Sequence, residues 1–217
     1  MDQTAIIERT VEFVRDSLSG EATGHDWWHV DRVRALACRL GREEGADLLV
    51  VELAALLHDI ADWKFHQGDL EAGPRAAAAW LESCQVEAGV VAQVCEIIGS
   101  VSFKGAQVAT PMATLEGQVV QDADRLDALG AVGIARAFAY GGHRQREIHS
   151  PDVAPESHDS FAAYRDSNST TINHFHEKLL LLADRMNTSA ARRLAHGRDS
   201  YMRSFLKRFH SEWEGES

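Results

Sequence analysis

Apolar residues recur at helical spacing along most of the chain, and strict two-residue alternation never persists beyond a few positions. Ile6, Ile7, Val11, Phe13 and Val14 predict an amphipathic helix over Thr4 to Leu18, stopped by Ser19 and Gly20. Val30, Val33, Leu36, Ala37 and Leu40 predict a second, with Asp26 as its N-cap. The stretch from Val51 to Lys64, VELAALLHDIADWK, is different. Val51, Leu53, Ala54, Ala55, Leu56 and Leu57 are apolar around most of the circumference, so a deeply buried helix is expected. Beyond it, KFHQGDLEAGPR reads as a polar loop, Ala76 to Leu81 and Val90 to Ile98 as helices, and GSVSFKGAQVATP as an irregular stretch. From Thr114 to Tyr140 the helical period is kept by Leu115, Val119, Val120, Ala123, Leu126, Leu129 and Ile134. Gly130 and Gly133 weaken an unbroken helix there, or else let helices approach closely. Residues 141–170 are polar, carry Pro151 and Pro155, and read as a long loop, either a lid or disordered. Ile172, Phe175, Leu179 and Leu182 mark a later helix. The expected fold is one all-α domain, a helical bundle spanning residues 1–217.

Composition narrows the functional classes. The chain has 217 residues, 45% apolar and 25% charged, which is ordinary for a soluble globular protein of one domain. Its 22 basic residues face 33 acidic ones for a net charge of -11, and no basic aromatic strip is present, which disfavours a nucleic-acid polymer as partner. A small phosphorylated substrate fits, provided cations gather at one site. Cys38, Cys84 and Cys95 are odd in number and lack metal-ligand spacing, so reduced thiols and a cytoplasmic location are expected. No apolar run approaches membrane-span length, and MDQTAIIERT has no signal-peptide pattern.

The chemistry gathers where polar groups interrupt apolar faces. His29 lies four residues before Val33 and seven before Leu36, on their inward face, with Arg32 one turn further on. One inward histidine is ordinarily a hydrogen-bonded core residue. At the end of the apolar helix, however, come His58, Asp59, Asp62 and Lys64. Burying an unpartnered carboxylate costs several kcal/mol, so these groups need a common partner. Asp124 sits on an apolar face, four residues after Val120 and four before Ala128, whereas Asp122 points to solvent and Arg125 and Asp127 read as supporting pairs. His29, His58, Asp59 and Asp124 together offer two imidazoles and two carboxylates, a set suited to one divalent ion. Four protein ligands leave positions open on an octahedral ion such as Mn²⁺, Fe²⁺ or Mg²⁺ for water and substrate.

His29, the pair His58–Asp59 and Asp124 reproduce the H…HD…D pattern, and the chain resembles the HD-domain metal-dependent phosphohydrolases. GHDWWHVDRV, AALLHDIADWKF, QDADRLDALGAVGIARAFAYGG and NHFHEKLLLL look like the small stand-alone predicted HD hydrolases, over about Gly24 to Met186. The resemblance implies an all-helical HD-type fold and one divalent ion (Mn²⁺ preferred, with Mg²⁺, Fe²⁺, Co²⁺ or Ni²⁺ as alternatives) on His29, His58, Asp59 and Asp124. It also implies hydrolysis of a phosphate ester or anhydride, usually of a nucleotide. Release of pyrophosphate from a nucleoside triphosphate is favoured over removal of a monophosphate or cleavage of a guanosine 3′-diphosphate, and a non-catalytic metal- or nucleotide-binding regulatory module is the competing class. Only His66 stands between the HD pair and Asp124, which argues against the binuclear and trinuclear variants.

The resembling guanosine-tetraphosphate hydrolases use an acid at the position of Asp62, which is read as general base or water-positioner, on the helix face of His58 and Asp59. Lys64 neutralises a phosphate or simply ends the helix at the surface. Arg32, Lys104, Arg125 and Lys178 are the candidate cations for an anionic substrate, with a salt bridge as the equal reading for Arg125. Trp27 and Trp28 read as packing residues, one of them able to form a wall for a base. His174 and His176 read as exposed or core residues before they read as substrate contacts, and His143, His149 and His158 are too scattered for a second metal site.

Overall fold

The computed structural model describes residues 2–20, 26–61, 69, 71–103, 105–157 and 169–216. The chain divides into two compact units, Met1–Phe103 with Thr110–Asp124, and Lys104–Ala109 with Arg125–Ser217. Every regular element among the described residues is helical, as the all-α expectation required.

The first unit is organised by α3 (Leu48–Leu57), against which α1 (Gln3–Ser17), α2 (Trp27–Glu44) and α5 (Ala88–Ser100) pack, while α4 (Ala72–Ser83) pairs with α5. The apolar surface of α3 explains this. Val50, Val51 and Leu53 through Leu57 are all at most 1% exposed, and burying such side chains contributes roughly 1.5–3 kcal/mol each. The chain reaches α3 through a tight reversal at the end of α2. Gly45 takes a left-handed conformation, and its N–H and that of Ala46 both donate to the Gly41 carbonyl at 2.9 Å. Asp47 then caps α3, accepting from the N–H of Leu49 at 2.9 Å. Phe13 on α1 stacks on Trp80 of α4, centroids 3.9 Å apart, and the Trp80 Nε1–H donates to Thr10 Oγ1.

Three boundaries differ from expectation. Helix α3 ends at Leu57, with His58 as its C-cap and Asp59 to Ala61 in a turn, so the helix does not run on toward Lys64. Helix α4 begins at Ala72, inside the stretch read as loop. Pro74 lies in its first turn, where a missing N–H breaks no intrahelical bond. The long periodic stretch is two helices, α6 (Leu115–Asp127) and α7 (Gly130–His143). Gly130 has φ of +73°, a conformation L side chains rarely adopt, and this reversal separates them.

In the second unit α7 packs on α8 (Thr171–His174) and on the 25-residue α10 (Ser189–Trp213), whose N-cap Thr188 accepts from the Ala191 N–H. Between these, Phe175–Leu179 form a π turn, Leu180–Leu182 the short α9, and Ala183–Arg185 a 3-10 turn. Ile172, Phe175, Leu179 and Leu182 are all buried, as their spacing predicted. Phe175 meets Phe138 of α7 and Phe205 of α10 in one aromatic cluster. The expected loop over 141–170 is shorter than read, because α7 continues to His143. Its described part is tied down: Thr171 N–H donates to the Glu147 carbonyl, Ile172 N–H to that of Ile148, and Glu156 N–H to Glu177 Oε1.

Candidate metal centre

Three separate segments of the first unit deliver the cluster. His29 stands in the first turn of α2, where its backbone N–H donates to the side chain of Asp26 at 2.9 Å. The N-cap read from the sequence therefore fixes the backbone that carries the first imidazole. His58 and Asp59 follow the last turn of α3, and Asp124 lies on α6. His29 is 1% and His58 7% exposed.

The two Nε2 atoms approach to 3.2 Å. Asp59 Oδ2 lies 3.3 Å from His29 Nε2 and 3.6 Å from His58 Nε2. Asp124 Oδ1 lies 3.6 and 3.8 Å from the same two nitrogens. Good hydrogen bonds between such groups run at about 2.7–3.2 Å, and four of these five separations are longer. Cis ligands of one ion at bond lengths of about 2.1 Å sit about 3.0–3.4 Å apart. The spacing is closer to that of ligands than of hydrogen-bond partners. His29, His58 and Asp59 alone offer ligand atoms all within 4.8 Å of one another.

Proton placement supports the same use. His58 Nδ1 lies 2.8 Å from the Ala55 carbonyl, which can only accept, so the Nδ1–H donates there. In the neutral ring the Nε2 lone pair then faces the cluster, the arrangement in which a backbone carbonyl orients a metal-binding imidazole. This partner is a carbonyl one turn back on α3, which no side-chain motif in the sequence identifies. By donor chemistry and by spacing, the residues fit a single divalent ion.

The acids of α6 are placed opposite to expectation in one respect. Asp122 is fully buried and Asp124 keeps 31% of its side chain exposed. Asp122 therefore lies on the buried face of α6, whereas Asp124 stands where the cluster opens to solvent. Asp127, 1% exposed, pairs with Arg136 at 3.0 Å. Arg125 is buried, and its guanidinium donates to the Arg185 carbonyl.

Of the other candidates, Arg32 is half-buried on α2 in the unit that holds the cluster, and Lys178 is half-buried in the π turn of the second unit. Asp62, Lys64 and Lys104 lie outside the described residues, as do His66 and His158. The turn at Asp59 to Ala61 removes the helical-face argument for Asp62. Trp27 is buried, with the Arg15 guanidinium 4.8 Å from its ring centroid, while Trp28 is exposed. His174 is half-buried and His176 exposed. Desolvation first, then the neighbouring His210, lowers the pKa of His176 below the usual imidazole value. No helix among the described residues is long and apolar enough to cross a membrane.

Comparison with known proteins identifies the fold family. A family model described as the HD domain matches residues 27–129, the segment from the start of α2 to just past α6. The Bacillus subtilis protein YpgQ is 38% identical over 213 residues, covering 96% of this chain and 94% of its own. Its crystal structure in complex with ADP superposes with a TM-score of 0.76 and 33% identity, over 97% of this chain and 100% of that one. A crystal structure from Lactobacillus plantarum superposes with a TM-score of 0.87 at 38% identity, over 99% and 100% of the two chains. An HD-superfamily hydrolase from Bacillus thuringiensis gives 0.75 at 41%, over 98% and 99%. With the HD-domain model matched over residues 27–129 and relatives 38–41% identical along nearly the whole chain, the chain belongs to the HD-domain phosphohydrolase superfamily.

Proposed function

We propose that this protein is a metal-dependent phosphohydrolase of small phosphorylated molecules, nucleotides foremost, with release of pyrophosphate from a nucleoside triphosphate as the preferred reaction. The observation that carries this reading is the convergence of His29, His58, Asp59 and Asp124 at 3.2–3.8 Å from three distant segments. The complex of YpgQ with ADP supports a nucleotide as the substrate class.

His29, His58, Asp59 and Asp124 would hold a divalent ion, Mn²⁺ by preference, which would supply Lewis-acid polarisation of a phosphoryl oxygen and a more acidic water. The chain's own residues do the rest. Ala55 holds the His58 ring so that Nε2 faces inward, and Asp26 holds the backbone of His29. Asp124, partly open to solvent, marks the side from which substrate enters. Asp62, three residues beyond Asp59 in sequence, takes the proton from water or positions it. Lys64, Arg32, Lys104, Arg125 and Lys178 are the proposed cations for the phosphates, Arg32 on the α2 turn that carries His29 and the rest to be ranked by substitution.

The test is to strip the protein of metal and screen nucleotides with Mn²⁺, Mg²⁺, Fe²⁺, Co²⁺ or Ni²⁺ restored. Asp62→Asn is expected to keep its metal and lose turnover by about 10²–10⁴-fold. Full activity in that variant removes Asp62 from the mechanism. Absence of hydrolysis with every metal leaves a regulatory module that binds without turnover.

A further inference from the structure

The two adjacent tryptophans at the start of α2 have opposite fates. Trp27 is 7% exposed and packs beneath the Arg15 guanidinium. Trp28 is 64% exposed, the one exposed aromatic among the described residues of its unit. An isolated exposed apolar residue is ordinary on a protein surface, so the argument rests on where this one stands. It immediately precedes His29, whose Nε2 contacts each of the other three donor groups of the cluster. Its backbone lies in the turn that Asp26 caps, so the indole is mounted on a fixed first turn. Arg32 falls four residues later, one turn along the same helix face. One and a half turns of α2 thus present, in sequence, an exposed π surface, a ligand atom for the cluster and a guanidinium. Those chemistries suit a base, a reacting phosphate and a further anionic oxygen.

We propose that Trp28 is the base platform of the site, stacking the heterocycle of a nucleotide whose phosphates reach the His29 cluster. The inference rests on the phosphohydrolase reading and narrows it to substrates that carry a base. Stacking accepts any heterocycle, because every base has a π face, so Trp28 selects nucleotides over inorganic polyphosphates without choosing among bases. Arg32 sits beside the platform and orients the charged part of the ligand.

The experiment measures equilibrium binding of ADP and of inorganic pyrophosphate to the Mn²⁺-loaded full chain by calorimetry, for the wild type, Trp28→Ala and Trp28→Phe. Hydrolysis of a nucleoside triphosphate and of inorganic tripolyphosphate is assayed in parallel. In Trp28→Ala the preference for ADP over pyrophosphate is expected to fall about 5- to 150-fold, the usual range for losing one base stack. Trp28→Phe restores most of it, which a purely structural role for the side chain does not predict. An unchanged preference in Trp28→Ala, or an equal loss for both ligands, overturns the platform. Failure of the wild type to hydrolyse any phosphate compound overturns the enzymatic reading instead, and the ADP-to-pyrophosphate comparison then still decides the role of Trp28.

Discussion

Replacing His58 by alanine tests the proposed metal centre, because His58 combines a proposed ligand position with a ring anchor, the 2.8 Å contact to the Ala55 carbonyl. The wild-type ring meets three other donor groups at 3.2–3.8 Å, so removing it takes away one of the four proposed ligands and leaves the others in place. Loss of an outer-shell partner of a metal ligand typically costs 10–100-fold in affinity, and loss of a ligand itself costs at least the upper figure. At a metal concentration 100 times the wild-type dissociation constant, binding stabilises the folded state by about 2.7 kcal/mol. A chain of this length gains about 2–4 °C in Tm per kcal/mol, so saturation is expected to raise the wild-type Tm by about 5–11 °C. With affinity down at least 100-fold, His58→Ala retains at most about 0.4 kcal/mol of that stabilisation, or about 1–2 °C. Differential scanning calorimetry of metal-stripped protein, with and without Mn²⁺, measures both shifts, and far-UV circular dichroism confirms that the variant keeps its helices. An equal metal-induced rise in the variant and the wild type would refute the placement of the ligand.

Two further outcomes concern the scaffold. A side chain at Gly133 collides with the Ala128 carbonyl, while one at Gly197, in mid-α10, meets nothing within 4 Å. Gly133→Ala is therefore expected to lower stability by about 2 kcal/mol or more, and Gly197→Ala to raise it by about 0.5–1 kcal/mol, both read by denaturant titration. His149 lies against Phe209, His210 and Trp213, and burial followed by the nearby His210 lowers its pKa from 6.5. The unfolded chain thus binds more protons than the native one just below pH 6.5, so stability is present above that pH and falls as pH drops toward the folded value. Replacing His149 with phenylalanine should flatten the Tm profile between about pH 5 and 7, and an unchanged slope would place the pH dependence elsewhere.

The burial of α3 was legible because hydrophobic residues nearly encircle it, a pattern with few structural solutions. The capping of α2 by Asp26 was legible because a short acceptor before an apolar stripe satisfies orphan N–H groups locally. The residues of the cluster were also legible, since imidazole and carboxylate stand out at apolar positions. What sequence spacing could not settle was geometry that depends on other segments. It placed Asp122 in solvent, yet α6 turns that acid inward and leaves Asp124 half-open. It carried the helix of α3 on to Lys64, yet the helix ends at Leu57 and a turn takes His58 and Asp59 to the cluster. It could not choose between Trp27 and Trp28, because only the folded chain, which brings Arg15 of α1 over the Trp27 ring, buries one indole and leaves the other exposed. Local chemistry fixes which groups are unusual. Their distances, and which of two adjacent side chains is buried, are set by contacts between residues far apart in the chain, and one sequence does not encode those separably.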